Sequence, residues 1–131
     1  MVAATSGDVS HFKDARHFAS WFGLTPKESS SGNRRILGRI SKKGDRYLRM
    51  LLTHGARSVL RTASLARQGG RGLDGLKSWA LGVQGRTNHN KAACALANKL
   101  ARICYAVLRD GTDYGKPDHQ KIERASFAMA A

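Results

Sequence analysis

The residues best suited to chemistry are three consecutive serines followed by a glycine, Ser29 to Gly32, with a dense group of cations directly behind them. A serine hydroxyl can attack phosphorus when it is exposed and when positive groups stand where charge develops on the phosphoryl oxygens. Arg34 and Arg35 supply such groups, and Glu28 is the acid that lies close enough in sequence to serve as a base. A serine triplet is also common in ordinary surface loops, so both interpretations stay open here.

The cations form the strongest pattern in the chain. Seven of them fall within the sixteen residues 34–49, against the single acid Asp45: Arg34, Arg35, Arg39, Lys42, Lys43, Arg46 and Arg49. Because this segment runs from a glycine-containing loop into the first turns of a helix, backbone N–H groups and side-chain charges can converge on one anion. Arginine forks also bind phosphate through paired hydrogen bonds. The segment is therefore predicted to bind a polyphosphate backbone, and the alternative is a solvated loop with surplus charge.

The charge of the whole chain favours the same kind of partner. The 131 residues contain 23 Lys+Arg against 9 Asp+Glu, a formal charge of +14. Such a balance favours nucleic acid, then an anionic membrane surface, then mere solubility. No apolar run is long enough to span a membrane, and the N-terminus does not resemble a secretory signal. We therefore expect a single cytoplasmic domain.

Metal and cofactor sites are not predicted in this chain. The five histidines show neither HExxH nor Cys/His ligand spacing, and no GxxxxGK[ST] loop is present. Cys94 and Cys104 would lie roughly 15 Å apart on one helix, since each residue rises about 1.5 Å. That separation is too large for a disulfide, so both are expected to be buried, reduced thiols.

The elements that must position these residues are predicted to be mainly α. Apolar periodicity predicts helices over residues 11–22, 45–67, 73–83 and 89–109, with Ser10 capping the first. We expect the two long helices to pack as an antiparallel pair, with Tyr47 and Leu51 on the buried face of the first and Ile103 and Val107 on that of the second. Residues 27–44 are interpreted as a basic Ser/Gly-rich loop with a short strand or hairpin around residues 36–40. The segment from residue 112 to residue 131 is predicted to be a polar, mobile tail.

The chain resembles the C-terminal domain of IS-one-ten-type insertion-sequence transposases in two stretches, FKDARHFASWFGLTPKESSSGNRRILGRISKKGDRYLRMLLTHGA and RTNHNKAACALANKLARICYAVLRDGTDY. Together they cover roughly residues 8 to 114. The resemblance implies a nucleophilic serine in a Ser-Gly step, here Ser31-Gly32, with Ser30 as the fallback because the triplet leaves an ambiguity of one position. The family's Gly-Arg-Ile-Ser-Lys-x-Gly segment matches residues 38–44, and its Leu-Arg pair matches Leu48-Arg49.

The resemblance also implies a function. Family members recombine DNA through a covalent phosphoserine link, guided in some relatives by a structured RNA, and carry a RuvC-like nuclease domain whose four acids bind divalent metal. That domain is absent here, and residues 1–10 resemble the end of the linker that follows it. We therefore expect a serine-bearing DNA-binding domain, residues 11–111, that needs self-association or a nuclease-domain chain for activity, with divalent metal bound in the missing domain. The alternatives are a non-catalytic nucleic-acid-binding module and a helical protein-interaction domain, the second of which leaves the cations unexplained.

Overall fold

The computed structural model describes residues 7–115, and the prediction of a mainly α fold is confirmed. Residues 7–115 contain four helices and one small two-stranded sheet, in the chain order α1 (Ala15–Trp21), β1 (Pro26–Glu28), β2 (Leu37–Ile40), α2 (Arg46–Gln68), α3 (Gly75–Arg86) and α4 (His89–Asp110). The linker was assigned to residues 1–10 and the tail to residues 112–131, and of these residues 1–6 and 116–131 lie outside the described part of the chain. Within residues 7–115, no helix is both long enough and apolar enough to cross a bilayer.

The long helix α2 begins at a local cap and buries one face. The Asp45 carboxylate accepts a hydrogen bond from the Leu48 N–H at 2.8 Å, which satisfies one of the free donors of the first turn. Leu48 and Leu60 lie on the buried face. The prediction that Tyr47 and Leu51 are also buried is wrong, since their exposed fractions are 64% and 46%. Each residue turns a helix by about 100°, so both side chains lie outside the face that packs against the other helices.

The second long helix, α4, packs against α2 in the opposite direction. His89 at its start lies beside Arg57 and Leu65 of α2, whereas Cys94 lies beside Arg46 and Arg57. As α4 advances from residue 89 to residue 94, its neighbours on α2 therefore move toward the start of that helix. The two long helices are therefore antiparallel, as predicted.

The buried stripe of α4 is rotated from the predicted one. Ala97, Ala101 and Tyr105 are buried, and Ile103 and Val107 are only half-buried. The small alanines allow α1 to approach closely, and the ring of Phe18 in α1 lies 5.6 Å from that of Tyr105 between centroids. The contact with α1, which sequence periodicity does not report, decides which stripe of α4 is central.

Helix α1 is shorter than predicted because its cap is Asp14 rather than Ser10. The Asp14 carboxylate accepts a hydrogen bond from the His17 N–H at 2.7 Å, and this bond lowers the pKa of Asp14. Residues 11–14 precede the helix, yet Phe12 is buried and packs edge-on against Phe18, with ring centroids 4.9 Å apart. Phe12 therefore fits the apolar spacing because it packs in the core, although it lies outside the helix.

The predicted short strand around residues 36–40 is present as β2, and it pairs antiparallel with β1, a strand that the sequence did not predict. Pro26 lies opposite Ile40 and Glu28 opposite Leu37, with an irregularity between the two pairs. The strands are largely exposed. Since little of the hairpin is buried, its position depends on how its base is attached to the helices.

That attachment is a close backbone crossing between the end of α1 and residues 42–44. The Lys42 N–H donates to the Gly23 carbonyl at 3.1 Å. A Cβ on Gly23 would collide with the Lys43 carbonyl, and a Cβ on Gly44 would collide with the Trp21 carbonyl. Both glycines also have positive φ, +69° and +97°. The crossing thus requires glycine at both positions, which gives a physical role to the glycine that ends the segment 38–44.

Candidate serine hairpin and nucleic-acid interface

The serine triplet forms the tip of the hairpin. Ser31 and Arg34 exchange both backbone hydrogen bonds, each 3.2 Å long, around the two-residue turn Gly32-Asn33. Gly32 has φ +58°, and glycine at the first central position is characteristic of the type II′ turn that suits two-residue hairpins. The turn therefore fixes the register of every side chain near the tip.

In this register Ser31 and Arg34 lie directly opposite each other on one face of the hairpin. Residues that exchange both hydrogen bonds have Cα atoms about 5.5 Å apart and side chains on the same side. Both residues are exposed. A phosphate that approached the Ser31 hydroxyl would be within reach of the Arg34 guanidinium.

Ser30 lies on the opposite face, with different neighbours. Its hydroxyl donates to Glu28 Oε1 at 2.9 Å, and Arg35 Nε lies 3.2 Å from the same oxygen. The acid that sequence reasoning considered as a local base is therefore placed beside Ser30 and not beside Ser31. Arg35 is likewise separated from Arg34, since adjacent residues of a strand point to opposite faces.

The remaining predicted cations lie at the base of the hairpin and at the start of α2. Arg39 and Lys42 line one side of a groove of about 990 Å³ between β2 and the first turns of α4, which we call the β2–α4 groove. Lys42, Arg46 and Arg49 line an adjoining cleft of about 400 Å³. Lys43 is exposed beside the backbone crossing. The structure therefore divides the seven predicted cations between the hairpin tip and its base.

Arg49 has a structural contact as well as a place in the cleft. Its Nη1 donates to the Phe22 carbonyl at 3.0 Å, at the residue that ends α1. This bond ties the first turn of α2 to the end of α1, next to the Gly44 crossing. The predicted phosphate contact of Arg49 thus belongs to a residue that also positions the hairpin.

Sequence reasoning missed the cations that continue the basic surface. Arg57 lines both the cleft that contains Arg46 and a further cleft of about 420 Å³, in which it joins Arg61 and His89. Lys91 lines the β2–α4 groove together with Arg39. Shared residues make the three clefts contiguous, and none of the described residues that line them is Asp or Glu. A helical projection of α2 could have found Arg57, which is eleven residues after Arg46 and therefore on nearly the same face.

Lys99 and the two cysteines lie away from the hairpin tip. Lys99 lies over the Trp79 ring at 4.5 Å, so it packs toward α3. Cys94 and Cys104 are free, as predicted, but half-buried rather than buried, and burial raises the pKa of Cys104. Within residues 7–115 no three His, Cys, Asp or Glu side chains converge to hold a metal ion. The metal assigned to a separate nuclease domain therefore stays an expectation.

Known proteins supply independent evidence on the family. The family described as Transposase IS116/IS110/IS902 matches residues 1–69. The chain is 45% identical over 113 residues to a probable family 20 transposase of Pseudomonas aeruginosa, and this match covers 86% of the chain and 32% of that protein. It is 40% identical over 116 residues to the transposase for insertion sequence element IS1328 of Yersinia enterocolitica, covering 88% of the chain and 33% of the relative.

A third relative is the transposase for insertion sequence element IS1111A of Coxiella burnetii, which is 39% identical over 107 residues, or 82% of the chain and 28% of the relative. No solved structure matches the chain. The chain spans about a third of the length of the curated relatives it matches. The family match covers more than half of the chain and includes the serine hairpin with its cations. The chain therefore belongs to the IS116/IS110/IS902 family of insertion-sequence transposases.

Proposed function

We propose that residues 11–111 form a DNA-binding catalytic domain in which Ser31 attacks a phosphodiester while the basic surface holds the strand. The observation that carries the proposal is the backbone pairing of Ser31 with Arg34 at the exposed tip of the hairpin. This pairing gives one hydroxyl and one guanidinium a common face, which is the combination that phosphoryl transfer requires.

The proposed step conserves phosphate ester bonds. Ser31 Oγ forms a bond to phosphorus and its proton leaves to solvent or a base, while one P–O bond of the strand breaks and the departing oxygen takes up a proton. Arg34 stabilises the charge that develops on the phosphoryl oxygens. Because one ester replaces another, the step needs no nucleotide cofactor.

The basic surface supplies the binding energy and orients the strand. Arg39 and Lys42 at the hairpin base, with Arg46 and Arg49 on α2, bind successive phosphates. Lys43 adds charge beside them, and Arg35 adds charge near the hairpin tip. Cations that neutralise phosphates release counterions, so the affinity should fall steeply with salt.

The remaining requirements concern partners. The relatives are about three times as long as the matched region, and we propose that a nuclease domain, in a further segment or a partner chain, supplies the divalent metal. Self-association and a structured guide RNA are further proposed requirements of the complete reaction. The cytoplasm of a bacterial cell, where the DNA is, is the proposed compartment.

The test separates the three serines. In a chimera, this chain replaces the matched 113 residues of the Pseudomonas relative, and covalent protein–DNA adducts are measured on denaturing gels with labelled DNA. Ser31→Ala should abolish the adduct. Ser29→Ala, which alters the same face two positions away, should leave it intact, and Ser30→Ala should also retain it.

Each other outcome has a distinct meaning. Loss of the adduct in Ser30→Ala alone would reassign the nucleophile to the face that carries Glu28. Adducts in all three variants would exclude a serine nucleophile in this hairpin. DNA binding by the parent chimera without any adduct would favour the alternative, a non-catalytic nucleic-acid-binding module.

A further inference from the structure

The β2–α4 groove has walls of two chemical kinds. Leu37 and Ile40 of the hairpin provide an apolar wall, and Leu37 is 51% exposed although it is a large aliphatic side chain. Arg39, Lys42 and Lys91 provide cations at the same groove. A purely electrostatic phosphate site has no need of the apolar wall, so the groove fits a ligand with both an apolar and an anionic part.

The first turn of α4 adds an electrostatic reason to expect an anion. Its residues include His89 and Lys91 and no acid, although the positive end of a helix dipole disfavours cations. The Asn88 side chain caps the turn by accepting from the Lys91 N–H at 2.9 Å. An anion in the groove would relieve the repulsion between the dipole and Lys91.

The size of the groove and its amides point to the ligand. Its volume of about 990 Å³ lies near the upper end of the roughly 300–1,000 Å³ typical of small-ligand sites. Asn90 contributes an amide, which can both donate and accept hydrogen bonds. A nucleobase has a flat apolar face and a polar edge, and its phosphate is anionic.

We propose that the β2–α4 groove accepts one unpaired nucleotide of a bound strand, with its base against Leu37 and Ile40 and its phosphate near Lys91. This inference rests on the proposed function, since it assumes that the basic surface holds a nucleic acid. A base inside a duplex is stacked and cannot present its face to the groove, so the ligand must be unpaired or flipped out. The nucleotide can come from DNA or from RNA.

The experiment compares paired and bulged probes on the complete chain. The probes are a short DNA duplex, the same duplex with one unpaired 2-aminopurine, and the RNA counterparts of both. The bulged probe should bind roughly tenfold more tightly than the paired one, the gain expected when roughly 55 Å² of apolar surface is buried. The sugar of the preferred bulged probe identifies the source.

Matched variants locate the effect. Leu37→Ser should abolish the preference for the bulge and leave affinity for the paired duplex unchanged. Leu51→Ser is the control, because Leu51 is a leucine of similar exposure, 46%, on α2. Lys91→Gln, which changes one exposed side chain, serves as the second variant if Leu37→Ser does not fold, and it should reduce the preference several-fold.

The two cysteines provide a direct readout of occupancy. Cys94 lines the groove, whereas Cys104 lies two to three turns further along α4. Because Cys94 also lines the adjoining cleft, the bulged probe should slow alkylation of Cys94 more than the paired probe does, and both should leave that of Cys104 unchanged.

The results separate this inference from the proposed function. The inference would be overturned if the parent chain bound bulged and paired probes with equal affinity, or if the preference for the bulge survived Leu37→Ser. Binding of the paired duplex in the same experiment would still support the proposed role of the basic surface. Absence of binding to any DNA or RNA probe would overturn both.

Discussion

The hydrogen bond from Arg49 to the Phe22 carbonyl predicts that two arginines of one helical turn differ in what they do. Arg49 Nη1 donates to that carbonyl at 3.0 Å, whereas Arg46 is exposed. A hydrogen bond that involves a charged group contributes about 1.5–3 kcal/mol to stability. Because Arg49 is half-buried, we expect Arg49→Met to cost about 1.5–2 kcal/mol, at the lower end of that range.

The assay is thermal and urea unfolding of the complete chain, with Arg46→Met as the matched control. In a domain of this size 1 kcal/mol corresponds to roughly 3–5 °C, so Arg49→Met should lower Tm by about 5–10 °C. Arg46→Met should change stability by less than about 0.5 kcal/mol, as surface substitutions usually do. Both variants remove one cation from the basic surface, so each should flatten the salt dependence of DNA affinity by about 0.7–0.9 units of slope.

The comparison refutes the reasoning if the two variants unfold at the same temperature. In that case the Arg49 contact with α1 would not contribute measurably to the attachment of α2. A selective loss of stability in Arg49→Met, with equal changes in salt dependence, would show that one residue both positions the hairpin base and binds DNA.

Two further predictions concern the turns and caps. Gly70→Ala should cost about 1–2 kcal/mol, because Gly70 has positive φ but open space around it. Gly44→Ala should cost a further ~1–3 kcal/mol because its Cβ would meet the Trp21 carbonyl; equal urea midpoints for the two variants would contradict the crossing. Hydrogen bonds from backbone N–H groups lower the pKa values of Asp14 and Asp74, so their contribution to stability is present above their ordinary value of 3.8 and is lost as pH falls through the lowered values. The double variant Asp14→Asn/Asp74→Asn keeps a capping side chain at both helices but removes the two titrating carboxylates. The free energy of unfolding of this variant should therefore fall less steeply than that of the parent chain as the pH is lowered. An equally steep fall would show that these carboxylates do not cause the loss of stability in acid.

The helices could be predicted where their signals are local. The Asn88 cap bonds the N–H three residues ahead, and Gly111 ends α4 with φ +62°, so neighbouring residues decide both bounds. The start of α1 was missed because Ser10 and Asp14 are both acceptable caps, and Phe12 fits a helical period while it packs from outside the helix. Local rules do not choose between such candidates.

The candidate site could be predicted in composition but not in arrangement. The seven cations and the serine triplet are contiguous in sequence, and they do line the hairpin and its base. The hairpin register nevertheless puts Ser31 with Arg34 on one face and Ser30 with Glu28 on the other. A shift of one residue would exchange these faces, and the turn at Gly32 decides the register.

The resemblance over roughly residues 8 to 114 identified the family without any coordinates. The mainly helical fold and the concentration of positive charge also follow from the sequence, because both depend on residue types and short spacings. The tertiary structure brings Lys91 and Arg39 to one groove and Arg57 and His89 to one cleft, and each pair joins elements that are distant along the chain. The antiparallel packing of α2 and α4 brings Arg57 and His89 together. The glycine crossing attaches the base of the hairpin to the end of α1, and the β2–α4 groove lies between that hairpin and the start of α4. No periodicity within one element encodes this arrangement.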